Sequence, residues 1–337
     1  MRILLDVMGG DLPPCELIQG GIAASRHQSI DIAFAGDPRT IEAALASAGE
    51  HLGERFSVVP STDVVAMDDS PVRAIREKKN SSLVLGLEAL RRGEADGFVS
   101  PGNTGAVVVG SLFTLGRIAA IPRPGLLAIL PTLHGPDLLV IDVGANTDCS
   151  PDHLAAFALM GATYAREILA IAEPRVGLLN IGTEESKGNR TAQEAFAALR
   201  SSSLDFAGNV EPHHLLTERP VDVVVCDGFV GNIFLKSIEG GISAVTSLLK
   251  KSIIQNAFAK LGALLLKRAF SDVRQVLSYE RHGGAPLLGV DGTVVIAHGR
   301  SDAEAIESAI DVARRQVSAR LVERFGRGMQ GWTRNGG

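Results

Sequence analysis

A chain of 337 residues is long enough to bury a full core, as one large domain or two smaller ones. Apolar residues at 45%, 37 glycines and only 4% aromatic residues fit an Ala/Val/Leu/Gly-rich α/β enzyme better than an all-β or disordered protein. A formal net charge of -5 lacks the strong basic excess of a nucleic-acid binder.

Ile3–Val7 is predicted as a buried strand followed by the turn-rich loop MGGDLPP. Pro14 opens a helix through Ala24, because proline is tolerated in the first helical turn. A strand and loop over Ile30–Asp37, a helix over Pro38–Ala48 and the short strand FSVVPS come next. Ser70 and Pro71 read as N-cap and N1 of a helix reaching Lys79, and Ser81–Arg92 as a second amphipathic helix. GFVS is a strand. LLAIL, DLLVID, RVGLLNIG, VDVVVCD and TVVIAHG are strand-like and mostly separated by helical periodicity. Near-continuous apolar strands belong to a sheet covered on both faces. No Pro/Ser-rich linker divides the chain, so 1–337 is read as a single three-layer α/β/α sandwich with a mostly parallel sheet.

From Ile238 to about Glu280 the pattern is helical without a strand, too long for an ordinary crossover. Gly262 interrupts it just before Leu264-Leu265-Leu266, which predicts a helical hairpin over 238–280 with Leu261, Leu264, Leu265 and Leu266 at its tip. Such a pair is read as the interface of a homodimer for most of its length. The Leu-rich tip, flanked by Lys260, Lys267 and Arg268, also suits an anionic membrane surface, and the two readings are compatible. MRILLDVMGGD meets Asp6 too early for a signal peptide, and no apolar run is long enough to cross a bilayer. Cys15, Cys149 and Cys226 form no CxxC pair, which predicts reduced thiols in a cytoplasmic protein without a disulfide framework or zinc site.

Three times an apolar run ends in a Gly- and Asn-bearing loop and then a helix-like segment: GFVSPGNTGAVVV, LLVIDVGANTDCSPDHL and VVVCDGFVGNIFLK. A fourth run, LLNIGTEESKGN, ends in a loop with Lys187 and Asn189. Unpaired N–H groups at a helix N-terminus bind anions, and glycine permits their close approach. The four loops together predict convergence on one polar site at the carboxyl edge of a parallel sheet. Asn103, Thr104 and Asn232 sit at helix starts, where a polar side chain either donates to an anion or caps the helix. Asp142 and Asp227 end apolar strands and either orient donors or hold the loop by accepting its N–H groups, the second reading being preferred for Asp142. His298 follows a strand, where it either serves a departing thiolate or is structural. Ser150-Pro151 reads as a cap pair. The chain has no GxSxG, Walker A, GxGxxG or HExxH sequence, which weighs against hydrolase, NTPase, dinucleotide-binding and zincin chemistry. Cys149 and Cys226 lie beside the loops, and each is read as a small buried hydrophobe rather than a nucleophile.

DVMGGD, DSPVRAIREKKNSS, SPGNTGA, ILPT, IDVGANTDCSPDHL, LLNIGTEESKGN, VVVCDGFVGN and GGAPLLG…IAHGRSD occur in that order over nearly the whole chain. They resemble the bacterial phosphate acyltransferase family of phospholipid synthesis, the fatty acyl-acyl carrier protein:phosphate acyltransferases. The resemblance implies an architecture related to phosphate acetyltransferase and isopropylmalate dehydrogenase. It also implies attack of inorganic phosphate on a long-chain acyl thioester of acyl carrier protein, giving acyl phosphate without metal or organic cofactor. Two positions depart from the family pattern: GGDLPP replaces GGDHGP, removing a histidine near Asp11, and Pro101 replaces a small residue. Under this resemblance Lys187 is the first choice for phosphate, with Asn232, Asp227 and His298 completing the catalytic set. Asn103, Thr104, Asn146, Gly231 and Asn189 are the binding candidates. Arg73, Arg76, Lys78 and Lys79 would meet the acidic acyl carrier, the other meaning of such a run being a solvated helix face. The alternative within enzymes is a phosphate acetyl- or butyryltransferase using a coenzyme A thioester.

Overall fold

The computed structural model describes residues 1–133, 135–255 and 283–335, together with Gly262, Ala263, Leu266 and Arg268. The first half contains β1 (Arg2–Asp6), α1 (Pro14–Gln28), β2 (Asp31–Gly36), α2 (Pro38–Ser47), β3 (Phe56–Pro60), α3 (Pro71–Glu77), α4 (Ser82–Arg91), β4 (Gly97–Ser100) and α5 (Thr104–Thr114). Next come β5 (Gly125–Leu130), β6 (Leu138–Ile141), α6 (Pro151–Ile168), β7 (Arg175–Leu179), α7 (Arg190–Arg200), β8 (Asp205–Val210), β9 (Val223–Val225) and α8 (Gly228–Ile254). The chain closes with β10 (Ala285–Leu288), β11 (Thr293–Ile296), α9 (Ala303–Ser318) and α10 (Leu321–Asn335).

Among the described residues eleven strands join one sheet in the order β3-β2-β1-β4-β11-β10-β5-β6-β9-β7-β8. β3 to β11 form one parallel block, and β6 to β8 form another. Between them β10 pairs antiparallel with β11 and β5, and β5 antiparallel with β6. Three successive reversals leave the two blocks running in opposite directions. The carboxyl ends of the two blocks therefore do not line one continuous edge, as the sequence suggests they would. The reversal turns on β10, whose sequence APLL is short, contains proline and carries no alternation to announce it. Neither β10 nor β8, an edge strand DFAGNV with glycine and asparagine inside it, is distinguishable as a strand in the sequence.

Side-chain alternation makes the layers. Leu4, Phe98, Val294, Leu126, Val140 and Val224 belong to one cluster that runs beneath both blocks and takes in α4, α5 and the first turns of α8. Their neighbours face the other way and split in two. Ile3, Leu5 and Val295 pack with α1 and α9, and Leu127, Ile141 and Val223 with α6 and α7. Burying each such side chain contributes about 1.5–3 kcal/mol. Helix starts are fixed locally. Asn103, Ser150, Asn189 and Asp227 each accept the N–H of the third residue on, at 3.0, 3.3, 2.9 and 2.8 Å. Ser150 is reciprocated by His153, whose Nδ1 accepts the Ser150 N–H.

α8 leaves the body of the fold: Val245, Leu248, Leu249 and Ile254 are exposed along its distal half. Of the predicted tip, Leu266 is exposed, while Leu261, Leu264 and Leu265 and the returning arm apart from Arg268 lie outside the described residues. Among the described residues no helix is long and apolar enough to cross a membrane.

Candidate active site

Each block ends in a buried aspartate that gathers a loop. Asp6, at the end of β1, accepts the N–H groups of Met8 and Gly9 at 3.0 and 3.1 Å, the Ser100 hydroxyl at 2.8 Å and the hydroxyl of Ser82 on α4. Ser100 Oγ in turn accepts the Gly102 N–H at 3.1 Å. Asp142, after β6, accepts N–H bonds from Leu126, Gly144, Ala145 and Asn146 at 2.8–3.0 Å and the Asn146 amide at 2.8 Å. Burial pushes both carboxyls above the ordinary carboxylate range, and these donors oppose it. Asp142 therefore acts as the anchor of its loop. The same loop also positions α8. Gly228 N–H bonds the Asn146 carbonyl at 2.7 Å, and a Cβ at Gly231 would stand 1.9 Å from the Asp142 carbonyl oxygen. Only glycine lets the helix start so close to that loop.

The two frames meet across a cavity of 420 Å³. From the first block come Gly102, Thr104 and Gly105 at the N-terminus of α5, and His298 and Gly299 after β11. The second block supplies Gly144, and Asn232, Lys236 and Glu239 from α8, at helical i, i+4, i+7 spacing. Leu126, Ala128, Val143, Leu235 and Ile296 make an apolar wall. Asn232 Nδ2 lies so near Gly144 that a Cβ there would come within 2.9 Å of it. Among the described residues the Thr104 hydroxyl, the Asn232 amide and the Lys236 ammonium have no protein partner, so donors on both sides of the cavity are free for a ligand. His298 Nδ1 accepts the Arg300 N–H at 3.1 Å, which leaves Nε2–H as the donor of the neutral ring.

Other predicted positions are committed elsewhere. Asn103 caps α5 with its oxygen and donates Nδ2 to the Met67 and Asp69 carbonyls at 2.9 and 3.1 Å. Asn146 Nδ2 bonds the Pro124 carbonyl at 2.7 Å as well as Asp142. Asn189 caps α7, Asp227 caps α8 and Gly231 is buried. Gly188, Asn189 and Asp227 line a second, apolar cavity of 480 Å³ with Val230, Ile233 and Phe234, on the opposite side of α8 from Asn232. Lys187 belongs to that side. Its side chain is 45% exposed and its ammonium meets Glu184 only at 3.9 Å. Sequence reasoning missed Lys236 and the Asp6–Ser100 link. Lys236 carried a signal, the i+4 spacing from Asn232 on a helix. The link did not, because 94 residues separate its partners.

Neither cysteine is an activated nucleophile. Burial, then the charges of Asp142 and Asp227, push the Cys149 thiol up to about 12 and the Cys226 thiol well above its ordinary value. Among the described residues no group of three or more His, Cys, Asp or Glu is placed to hold a metal ion.

The family described as "Fatty acid synthesis protein" matches residues 1–324. A phosphate acyltransferase of Geobacillus thermodenitrificans is 46% identical over 319 residues, covering 94% of this chain and 95% of that protein. One from Desulfitobacterium hafniense is 44% identical over 323 residues, covering 96% of each. Among solved structures, a phosphotransacetylase from Streptococcus pyogenes superposes with a TM-score of 0.64 at 16% identity, over 96% of this chain and 94% of its own. A branched-chain phosphotransacylase from Enterococcus faecalis gives 0.57 at 16%, over 94% and 99%. These two likenesses show a shared fold.

Proposed function

The chain is an enzyme of the phosphate acyltransferase family of fatty acid synthesis, and from that membership we propose that it moves a long-chain fatty acyl group from acyl carrier protein to inorganic phosphate. The observation that carries this reading is the set of unpartnered donors, Thr104, Asn232, His298 Nε2 and Lys236, around a cavity that also has an apolar wall. An oxygen of hydrogen phosphate attacks the thioester carbon and the C–S bond breaks. The proton of the phosphate passes to the departing thiolate. Atoms and charge balance without an enzyme-bound acyl group, in keeping with the two raised thiols.

Lys236 and the N-terminus of α5 are suited to phosphate, the latter because its first N–H groups point out of the helix. Asn232 is the donor for the oxyanion on the thioester carbonyl, and holding such a donor in place contributes about 3–4 kcal/mol to a transition state. With Nδ1 occupied, His298 stabilises the leaving sulfur by a hydrogen bond rather than by giving up a proton. Lys187 offers an exposed cation that draws phosphate toward the α8 region. In the cell, this reading makes the product the acyl phosphate for phospholipid synthesis. It also has the enzyme work in the cytoplasm as a homodimer paired through the apolar half of α8. The Leu-rich segment around Leu266 then rests on an anionic membrane, and Leu264→Glu should weaken vesicle binding without abolishing turnover.

Incubation of the purified enzyme with palmitoyl-acyl carrier protein and labelled phosphate should yield labelled acyl phosphate, trapped as a hydroxamate by hydroxylamine. A protein that uses acetyl- or butyryl-coenzyme A and ignores the carrier-bound donor would replace this reading with the short-chain one.

A further inference from the structure

Of the four cations read along the helix after Ser70, two are already engaged. Arg73 Nε holds Glu77 at 3.0 Å, and Lys78 Nζ sits 2.5 Å from Asp69 and 2.9 Å from the Val64 carbonyl. Arg76 and Lys79 have no partner among the described residues. They border a concave groove of 430 Å³ between α3, α4 and α5, to which α4 adds Arg91, equally unpaired. At its rim stands Phe113 of α5, 64% exposed. Glu88 on the groove wall is turned toward Arg92 at 3.7 Å.

We infer that this groove is where an acidic protein carrying the acyl thioester docks, with Phe113 as its apolar anchor and Arg76, Lys79 and Arg91 as the charged contacts. The inference rests on the carrier-protein donor proposed above and locates it. Exposed aromatic and arginine side chains are the groups that carry interface energy, and unpaired cations steer an acidic partner. The groove and the reaction cavity lie at the two ends of one helix. Thr104 lines the cavity and Thr114 the groove, ten residues on, or about 15 Å at the helical rise. A thioester on a flexible prosthetic arm spans such a gap. The docking elements are also fixed relative to the cavity. A Cβ at Gly105 would stand 2.7 Å from Pro71 Cγ, and Asn103 holds the Met67 and Asp69 carbonyls just before α3. A concave surface suits the ridge of a helix better than the plane of a bilayer.

The test compares palmitoyl-acyl carrier protein with palmitoyl-pantetheine as donors for Arg76→Glu, Arg91→Glu and Phe113→Ala. Each variant should raise the KM for the carrier-bound donor about tenfold, leaving the KM values for palmitoyl-pantetheine and phosphate unchanged. Titration with unacylated carrier should weaken in parallel, and Arg190→Glu on the distant α7 should alter neither. An unchanged KM for the carrier-bound donor overturns the groove alone, as does an equal rise for both donors. Loss of binding to anionic vesicles with normal carrier kinetics would make it a membrane surface instead. Wild-type enzyme that ignores the carrier-bound donor overturns the donor reading, and the groove with it.

Discussion

Asp6 and Asp142 each sit at a strand end where water does not reach, one in each block of the sheet, yet they hold their loops with unequal sets of donors. Asp6 accepts two loop N–H groups and the hydroxyls of Ser100 and Ser82. Asp142 accepts four N–H groups and a side-chain amide. The difference follows from what each loop supports. The first packs on a neighbouring loop of its own block, Gly9 against Gly102. The second must also seat the start of α8, and with it Asn232 and Lys236. Carboxylates in this fold build the frame, and the groups left free for a ligand are the donors that the frame positions.

The sharpest way to break this comparison is Gly231→Ala. Its Cβ would overlap the Asp142 carbonyl at 1.9 Å with no side-chain torsion to relieve it. It should cost about 3 kcal/mol or more in unfolding free energy and remove activity, because the helix start has to move. Gly102→Ala, with its nearest contact the Ser100 hydroxyl at 3.0 Å, should be milder. Next comes the pair Asp142→Ala and Asp6→Ala, expected to cost about 3–5 and about 2–3 kcal/mol, since the first leaves more donors stranded. Equal losses in urea unfolding would remove the asymmetry.

The pH dependence sharpens the same point. Burial raises both folded carboxyls above the ordinary 3.8, so the native state keeps a proton that the unfolded chain has already released. Stability should therefore fall as pH rises from 3.8 through the folded values, and level off above them. Asp142→Asn should flatten its share of that slope. A slope of opposite sign would mean that the donors outweigh burial. Smaller again is Lys187→Ala, which should raise the phosphate KM about tenfold through lost steering and leave the acyl-donor KM alone. An unchanged phosphate KM removes Lys187 from the reaction. The smallest effect is expected for Cys149→Ala: turnover within about twofold of wild type and no thioester adduct by mass spectrometry, as a thiol pushed up to about 12 should allow.

Much of this architecture is legible in the chain. Apolar runs such as Leu4–Leu5 and Val223–Val225 predict buried strands, and Ser150-Pro151 predicts a helix start that carries the expected cap. The antiparallel centre is not legible, because APLL has neither the length nor the alternation of a strand. Nor can sequence tell a capping asparagine from a ligand-binding one. Asn103 and Asn232 each follow a glycine near a predicted helix start. Only the fold shows that the first spends its amide on carbonyls 34 and 36 residues upstream, whereas the second faces a cavity unpaired.

That contrast permits one direct test: kcat/KM and unfolding free energy measured together for Asn232→Ala. A donor held by the frame but not part of it should cost about 100- to 1,000-fold in kcat/KM and less than about 0.5 kcal/mol in stability. Wild-type turnover, or a loss of activity matched by a loss of stability like that of Asp142→Ala, would contradict the assignment of the cavity between the two blocks as the place of reaction.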